Sequence, residues 1–171
     1  MTRIAVALST VMYLAFAAGD AFAQSGRVGR CSLESQKASF ATTAANRLNA
    51  QAIQDRVIGK RTRLMRRQFE RPIVFRITNI FRTDGSLSTQ CEWQTQAGGY
   101  APCTGTTDRG GARDVGTWRL DRSGSLCVAR TSGVRGQDEA CLSVHHDGGR
   151  YAMVLLSGEV ACVAGDFEIL P

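Results

Sequence analysis

Two cysteines at matching places in neighbouring strand-like runs constrain the fold of this chain more than any other feature. Cys127 lies between Leu126 and Val128, and Cys141 directly precedes Leu142 in the next run. Because successive side chains of a strand point to opposite faces, both cysteines face away from the apolar side of their strands. The midpoint between them, residue 134, lies among glycines that favour a turn. The pattern predicts a β-hairpin in which Cys127 and Cys141 stand opposite each other and form a disulfide.

The chain has six cysteines, and their even number predicts up to three disulfides if the protein is exported. Cys91–Cys103 is the expected second bridge and ties back a Gly- and Thr-rich loop. By elimination, Cys31–Cys162 then joins the N-terminal region to the last strands. We interpret the Cys127–Cys141 pair as structural, because a reactive thiol would need a nearby histidine or helix start that lowers its pKa.

Residues 1–23 have the pattern of a secretory signal peptide. Arg3 is followed by the mostly apolar run 4–18, and Ala21-Phe22-Ala23 gives the small residues that a signal peptidase reads. The alternative, a retained membrane helix, is disfavoured because the run is short for a bilayer span. The sequence therefore predicts cleavage after Ala23, a flexible tail at 24–30, a periplasmic or secreted location and no transmembrane segment.

Residues 31–59 have the composition and spacing of a helical segment. Apolar residues recur at roughly helical intervals, and the stretch contains no proline and no glycine before Gly59. One or two helices are expected, and the clearer one spans 48–59. Asn49 is its expected N-cap, and Gly59 is expected to adopt a left-handed conformation just beyond its end.

Residues 60–171 are expected to form an antiparallel β domain, which makes one domain together with 31–59. The run 73–81 alternates apolar and polar residues and is followed by Thr83-Asp84-Gly85. A three-residue loop with a left-handed Gly85 sets Phe81 opposite Leu87, whereas a two-residue loop would break the match between the faces.

Four further short strands with tight turns follow, which favours an antiparallel meander. The predicted fold is mainly β with an N-terminal helical segment. Its sheet closes into a small barrel or sandwich held by disulfides.

The sequence contains no assembled catalytic, metal or cofactor motif. It lacks a nucleophile elbow, a phosphate loop, a metalloprotease motif and a calcium loop, so no catalytic residue, metal or cofactor is expected. His145 and His146 are neighbours on a strand and point to opposite faces, so we expect solvated residues at a strand end and no shared metal. A hydrolase with dispersed carboxylates remains the alternative, because two such carboxylates obey no spacing rule.

The formal charge of +6 and the basic run 56–71 suggest an anionic partner. The candidate anion-binding residues are Arg61, Arg63, Arg66 and Arg67. The expected partner is an anionic polysaccharide or an envelope protein, and not a nucleic acid, because the run lacks interleaved aromatic residues. The alternative is a solvated edge strand whose charges prevent edge-to-edge pairing.

Several short motifs between residues 49 and 170 resemble a family of small uncharacterised secreted bacterial β-domains. The matching pieces are Ile58-Gly59, Asp84-Gly85, Gly116-Thr117-Trp118-Arg119-Leu120, Leu126-Cys127-Val128, Cys141 with Val144, and Gly149-Arg150-Tyr151. That family brings no established activity with it.

The strand before Cys127 is also similar to one in small periplasmic β-barrel inhibitors of bacterial metalloproteases. Those inhibitors place a G-x-W-x-L strand ahead of a cysteine, close a local disulfide and insert an N-terminal tail into the protease. This chain departs from them by its helical N-terminal region and its four additional cysteines. The sequence thus predicts a non-catalytic exported binding protein, with the inhibitor as an alternative.

Overall fold

The computed structural model describes residues 31–68, 72–103, 113–130, 139–157 and 162–171. The predicted signal peptide at 1–23 and the tail at 24–30 lie outside these residues. The described part contains one α-helix, α1 (Ala50–Arg56), and nine strands. The strands are β1 (Arg61–Arg67), β2 (Val74–Phe81), β3 (Ser86–Gln94), β4 (Tyr100–Pro102), β5 (Arg113–Leu120), β6 (Leu126–Arg130), β7 (Glu139–Asp147), β8 (Arg150–Ser157) and β9 (Gly165–Leu170).

Eight of these strands form a closed antiparallel barrel. The ring runs β1-β2-β3-β5-β6-β7-β8-β9 and closes where β9 pairs with β1. Strand β4 pairs with the C-terminal half of β3 and stays outside the ring. The predicted antiparallel, mainly β fold is confirmed, and the structure decides in favour of a barrel. Closure pairs β1 with β9 over Arg61–Arg63, which leaves less strand edge open to pairing with other chains.

The first hairpin has the predicted register. Gly85 has a φ of 82° and ends a three-residue loop, and Phe81 pairs with Leu87. Farther along, Ile77 pairs with Cys91, so the apolar sides of β2 and β3 both face the barrel core. The alternation of the sequence was sufficient here because one face of each strand is buried, and a one-residue slip would expose that entire face.

All three predicted disulfides are present. Cys127 pairs with Cys141 in the register of β6 and β7, and their Cα atoms are 4.0 Å apart. Cys91–Cys103 and Cys31–Cys162 each have a Cα separation of 5.4 Å. The described residues include no free cysteine. Three disulfides indicate an oxidising compartment.

The expectation of a helical segment over 31–59 is correct only for its last third. Asn49 caps α1 as predicted, since its Oδ1 accepts a 2.8 Å hydrogen bond from the backbone N–H of Ala52. Residue 59 adopts the predicted left-handed conformation with a φ of 76°. Helix α1 places Ile53 in the core at 0% exposure, and the chain then enters β1.

Residues 31–47, by contrast, contain only two short 3-10 turns, at Glu34–Gln36 and Ala44–Asn46. Backbone groups of this stretch bond to the barrel: the N–H of Ser39 donates to Asp166 Oδ1, and Arg47 bridges to His145. Backbone N–H and C=O groups that hydrogen-bond to the barrel do not need the hydrogen bonds of a helix. Tertiary contacts therefore override the helical spacing of the apolar residues in this stretch. We call residues 31–47 the N-terminal strap.

No helix in the described residues has both the length and the apolar character needed to cross a membrane.

Candidate functional site

Strand β1 carries the four candidate arginines and is paired on both sides. It pairs with β2 over its whole length and with β9 from Arg61 to Arg63. The alternative of an edge strand is therefore wrong, because barrel closure supplies a second neighbour. Thr62, Leu64 and Arg66 are buried on the inner side of β1, between residues that point outward.

The four candidate arginines do not form one surface. Arg61 and Arg67 are exposed on the outer side. Arg63 is half-buried and pairs with Glu168 at 3.2 Å. Arg66 belongs to the inner side and is only 1% exposed. The strip that the sequence suggested is thus divided by the alternation of the strand, and Arg66 cannot be a solvated side chain.

A groove lies between strap residues 34–39 and the neighbouring strands β1 and β9. Its volume is about 550 Å3, and we call it the β1–β9 groove. Gly165 lets the strap approach β9, since a Cβ at this position would lie 2.9 Å from the Cα of Gln36. The groove is lined by Glu34, Ser35, Lys37, Ala38, Ser39, Arg63, Met65, Arg66, Asp166, Phe167 and Glu168.

The guanidinium of Arg66 is only partly satisfied. Its Nη1 donates to the carbonyl oxygen of Met65 at 2.8 Å and to that of Asp166 at 3.0 Å. Its Nε and Nη2 are buried and have no hydrogen-bond partner among the described residues. Burial lowers the pKa of Arg66 to about 10, and the nearby carboxylate of Asp166 opposes this shift. Arg66 is therefore charged at neutral pH, and two of its donors are unused.

The other charged groups that line the groove have polar partners, although Arg63 Nε is also buried without a hydrogen-bond partner among the described residues. Lys37 Nζ pairs with Glu34 at 3.0 Å, and Arg63 pairs with Glu168. One carboxylate oxygen of Asp166 accepts a 2.9 Å hydrogen bond from the N–H of Ser39. Arg66 has no ion pair within 4.0 Å among the described residues, although burying a charge without a partner costs several kcal/mol. Because the charge of Arg66 is unpaired and two of its donors lack partners, the β1–β9 groove is the candidate binding site.

His145 is not the solvated residue that the sequence suggested. It is 5% exposed, because the strap covers the outer side of β7. Its Nδ1 lies 3.0 Å from Asn46 Oδ1, and its Nε2 lies 2.9 Å from the hydroxyl oxygen of Ser143. Since Asn46 Oδ1 can only accept, Nδ1 carries the proton and Nε2 accepts from the serine hydroxyl. We call Asn46, Ser143 and His145 the His145 cluster.

The His145 cluster has the order of groups that activates a serine nucleophile: hydroxyl, imidazole and a group that orients the imidazole. Ser143, however, is only 3% exposed, so a substrate carbonyl cannot reach its oxygen in this conformation. Asn46 also accepts from the N–H of Thr43 and donates to the carbonyl of Ala41, both in the strap. The geometry therefore fits an anchor that holds the strap to β7.

His146 points to the opposite side of β7 from His145, as predicted. Its ring centroid lies 4.5 Å from that of Tyr151, and its Nδ1 lies 3.2 Å from Nη1 of Arg56. The two histidines thus face separate environments and do not share a ligand.

One group of possible metal ligands occurs in the described residues: Asp121, Cys127 and Cys141. The two sulfur atoms are joined in a disulfide, so neither can act as a thiolate ligand. Asp121 Oδ1 already accepts from the backbone N–H groups of Ser123 and Ser125. Asp121, Cys127 and Cys141 therefore do not form a metal site.

The sequence found Arg63 and Arg66 but missed the residues that complete the groove. Lys37, Asp166 and Glu168 are far from β1 in the chain and reach it only through the strap and through barrel closure. One signal was available for Arg66. In the run Thr62-Arg63-Leu64-Met65-Arg66 it shares the alternate positions with Thr62 and Leu64, which predicts an inward orientation.

Comparisons with protein-family models, with curated proteins and with solved structures found no match to this chain.

Proposed function

We propose that this protein is a non-catalytic exported protein that binds an anionic ligand in the β1–β9 groove. One observation carries the proposal: Arg66 is buried at the groove, is charged at neutral pH and has two donors without a partner. Buried donors are normally satisfied, and exceptions often mark a ligand site. A periplasmic or secreted location is part of the proposal and is supported by the three disulfides.

Two variants of the same strand test the proposal. Arg66→Gln removes the buried charge, whereas Arg61→Gln removes an exposed charge on β1 with the same chemistry. Purified protein is titrated calorimetrically with acetate, phosphate, sulfate and an acidic oligosaccharide. We expect at least one anion to bind the wild type and Arg61→Gln equally, and to bind Arg66→Gln at least about tenfold more weakly.

Folding of each variant is verified by circular dichroism. The wild-type side-chain Nε–Hε resonance of Arg66, followed by NMR, gives a readout that needs no variant. The proposal would be contradicted if no anion binds. It would also be contradicted if Arg66→Gln leaves binding unchanged and the chemical shift of the Arg66 resonance does not change on titration.

The predicted similarity to metalloprotease inhibitors and the alternative of a hydrolase with dispersed carboxylates both stay predictions. Slowing of a periplasmic or secreted metalloprotease by a stoichiometric amount of the protein would support the first. Turnover of a glycan, peptide or ester that one carboxylate substitution abolishes would support the second.

A further inference from the structure

We propose that the group bound in the β1–β9 groove is a carboxylate held side-on by Nε and Nη2 of Arg66. This inference rests on the proposed function and names the chemical class of its ligand. It starts from which nitrogen atoms of the guanidinium are occupied and which are unused.

The two unused nitrogen atoms belong to the same edge of the guanidinium. Nη1 lies on the side of the side-chain stem and is held by the carbonyls of Met65 and Asp166. The N–H of Nε and one N–H of Nη2 point in parallel directions away from that side, and both lack a partner among the described residues. Two parallel N–H donors match the two oxygens of one carboxylate. The carbonyl contacts on Nη1 fix the orientation of this edge before any ligand arrives.

The charge balance of the groove favours a singly charged ligand group. Lys37 is paired with Glu34, and Arg63 is paired with Glu168, which leaves the positive charge of Arg66 and the negative charge of Asp166. The carboxylate of Asp166 acts on Arg66 electrostatically and would repel a second negative charge brought to the same place. A phosphate dianion or a sulfate dianion therefore fits less well than a carboxylate.

The shape and lining of the groove indicate the rest of the ligand. A volume of about 550 Å3 exceeds what a single carboxylate fills, so a larger body accompanies it. Met65, Ala38 and Phe167 add apolar surface among the paired charges. Nε and Nη2 are shielded from solvent, so entry of the ligand requires a local movement of the groove lining. A neutral body that carries one carboxylate, such as a peptide C-terminus or a uronic acid sugar, meets these conditions.

Matched pairs of ligands test the inference with the full mature protein. The probes are a tetrapeptide with a free C-terminal carboxylate against its C-terminal amide, and a uronic acid oligosaccharide against its neutral counterpart. Acetate, phosphate and sulfate complete the series. We expect acetate and at least one carboxylate probe to bind, its neutral partner and both dianions to bind at least about tenfold more weakly, and the preferred probe to identify the source.

The variant Arg66→Lys distinguishes binding by two parallel N–H donors from binding by positive charge alone. Lysine keeps the positive charge but cannot present two parallel donors, so carboxylate affinity should fall at least about tenfold while the small preference for anions over neutral probes persists. The Nε–Hε resonance of wild-type Arg66 should shift on carboxylate titration, and this readout holds even if the variant fails to fold. Equal or tighter Arg66-dependent binding of phosphate would overturn the carboxylate assignment while leaving the proposed function intact. Absence of any Arg66-dependent binding would remove both.

Discussion

Two buried polar clusters lie beneath the same N-terminal strap, and they differ in how completely their hydrogen bonds are made. In the His145 cluster, both ring nitrogens of His145 have hydrogen-bond partners. Asn46 makes three hydrogen bonds, one each with His145, Thr43 and Ala41. At the β1–β9 groove, Arg66 has only one satisfied nitrogen out of three. A satisfied cluster stabilises the fold, whereas a partly satisfied charge costs stability unless something binds it. The complete hydrogen bonding of the His145 cluster fits an anchor, and the incomplete hydrogen bonding of Arg66 fits the binding role that we propose for the groove.

The largest effect is expected from removing the disulfide that holds the strap over both clusters. Cys31→Ser together with Cys162→Ser opens a sequence separation of 131 residues. The chain-entropy model gives a loss of about 5 kcal/mol in the free energy of unfolding, measured by urea denaturation. Cys127→Ser with Cys141→Ser is the control, because its separation is only 14 residues and the expected loss is about 3 kcal/mol. Equal losses in the two double variants would mean that the strap is held by its other contacts.

The next effect tests the anchoring role of the His145 cluster. His145→Ala removes the partners of Ser143 and Asn46 and leaves a cavity beneath the strap. We expect the free energy of unfolding to fall by about 2–3 kcal/mol. Ser143→Ala removes one hydrogen bond and should cost about 1 kcal/mol. A histidine variant as stable as the wild type would contradict the anchoring role.

Arg66→Met is expected to act in the opposite direction from His145→Ala, because it removes a buried charge that lacks a partner. Methionine fills much of the same space without a buried charge, so the free energy of unfolding should stay constant or rise by up to about 2 kcal/mol. Binding of the preferred anion should be lost in the same variant. If Arg66→Met instead lowers the free energy of unfolding as much as His145→Ala does, then Arg66 is a structural residue like His145.

A smaller effect is expected in the pH dependence of stability, to which the His145 cluster contributes and Arg66 does not. Burial, followed by the charge of Arg47, lowers the pKa of His145, and a hydrogen bond with the Thr43 backbone opposes this shift. In the unfolded chain the imidazole takes up a proton below about pH 6.5, while the folded cluster resists it. The free energy of unfolding should therefore fall as the pH decreases through 6.5 and level off below the folded pKa of His145. The total loss should be about 1.4 kcal/mol for each unit by which the pKa of His145 is lowered.

Urea midpoints at several pH values measure this dependence. His145→Gln should reduce the slope near pH 6, whereas Arg66→Met should leave the slope unchanged, because arginine does not titrate in this range. A wild-type slope that His145→Gln does not alter would assign the dependence to other groups.

The smallest effect is expected at Arg61, which is exposed on the outer side of β1. Arg61→Gln should change the free energy of unfolding by no more than about 0.5 kcal/mol. Its retention on an anionic resin should decrease slightly and only at low salt, since exposed charges are screened. A loss of groove binding in this variant would show that the exposed charges of β1, and not Arg66, attract the ligand.

Local patterns in the sequence predicted Cys127–Cys141, the first hairpin and the helix cap, because each depends on residues that are close in the chain or matched in strand parity, whereas Cys31–Cys162 followed only by elimination. The β2–β3 register follows from Gly85 and the apolar face, and the Cys127–Cys141 pair follows from two alternating runs. The helical interpretation of 31–47 was wrong, because hydrogen bonds from the strap to Asp166 and His145 replace those of a helix. The candidate site was found only in part, since Arg66 was grouped with its exposed neighbours.

The sequence by itself determined the alternation of β1, and so the inward position of Arg66, because side-chain direction in a strand has a strict period of two. It also determined which cysteines could face each other, by the same parity. Only the tertiary structure decided that β9 closes the barrel against β1 and that residues 34–39 cover the place where they meet. Those contacts join residues more than a hundred positions apart, and no local pattern encodes them. Whether a buried charge has a partner depends on these distant neighbours, and so the unpartnered donors of Arg66 became visible only in the folded barrel.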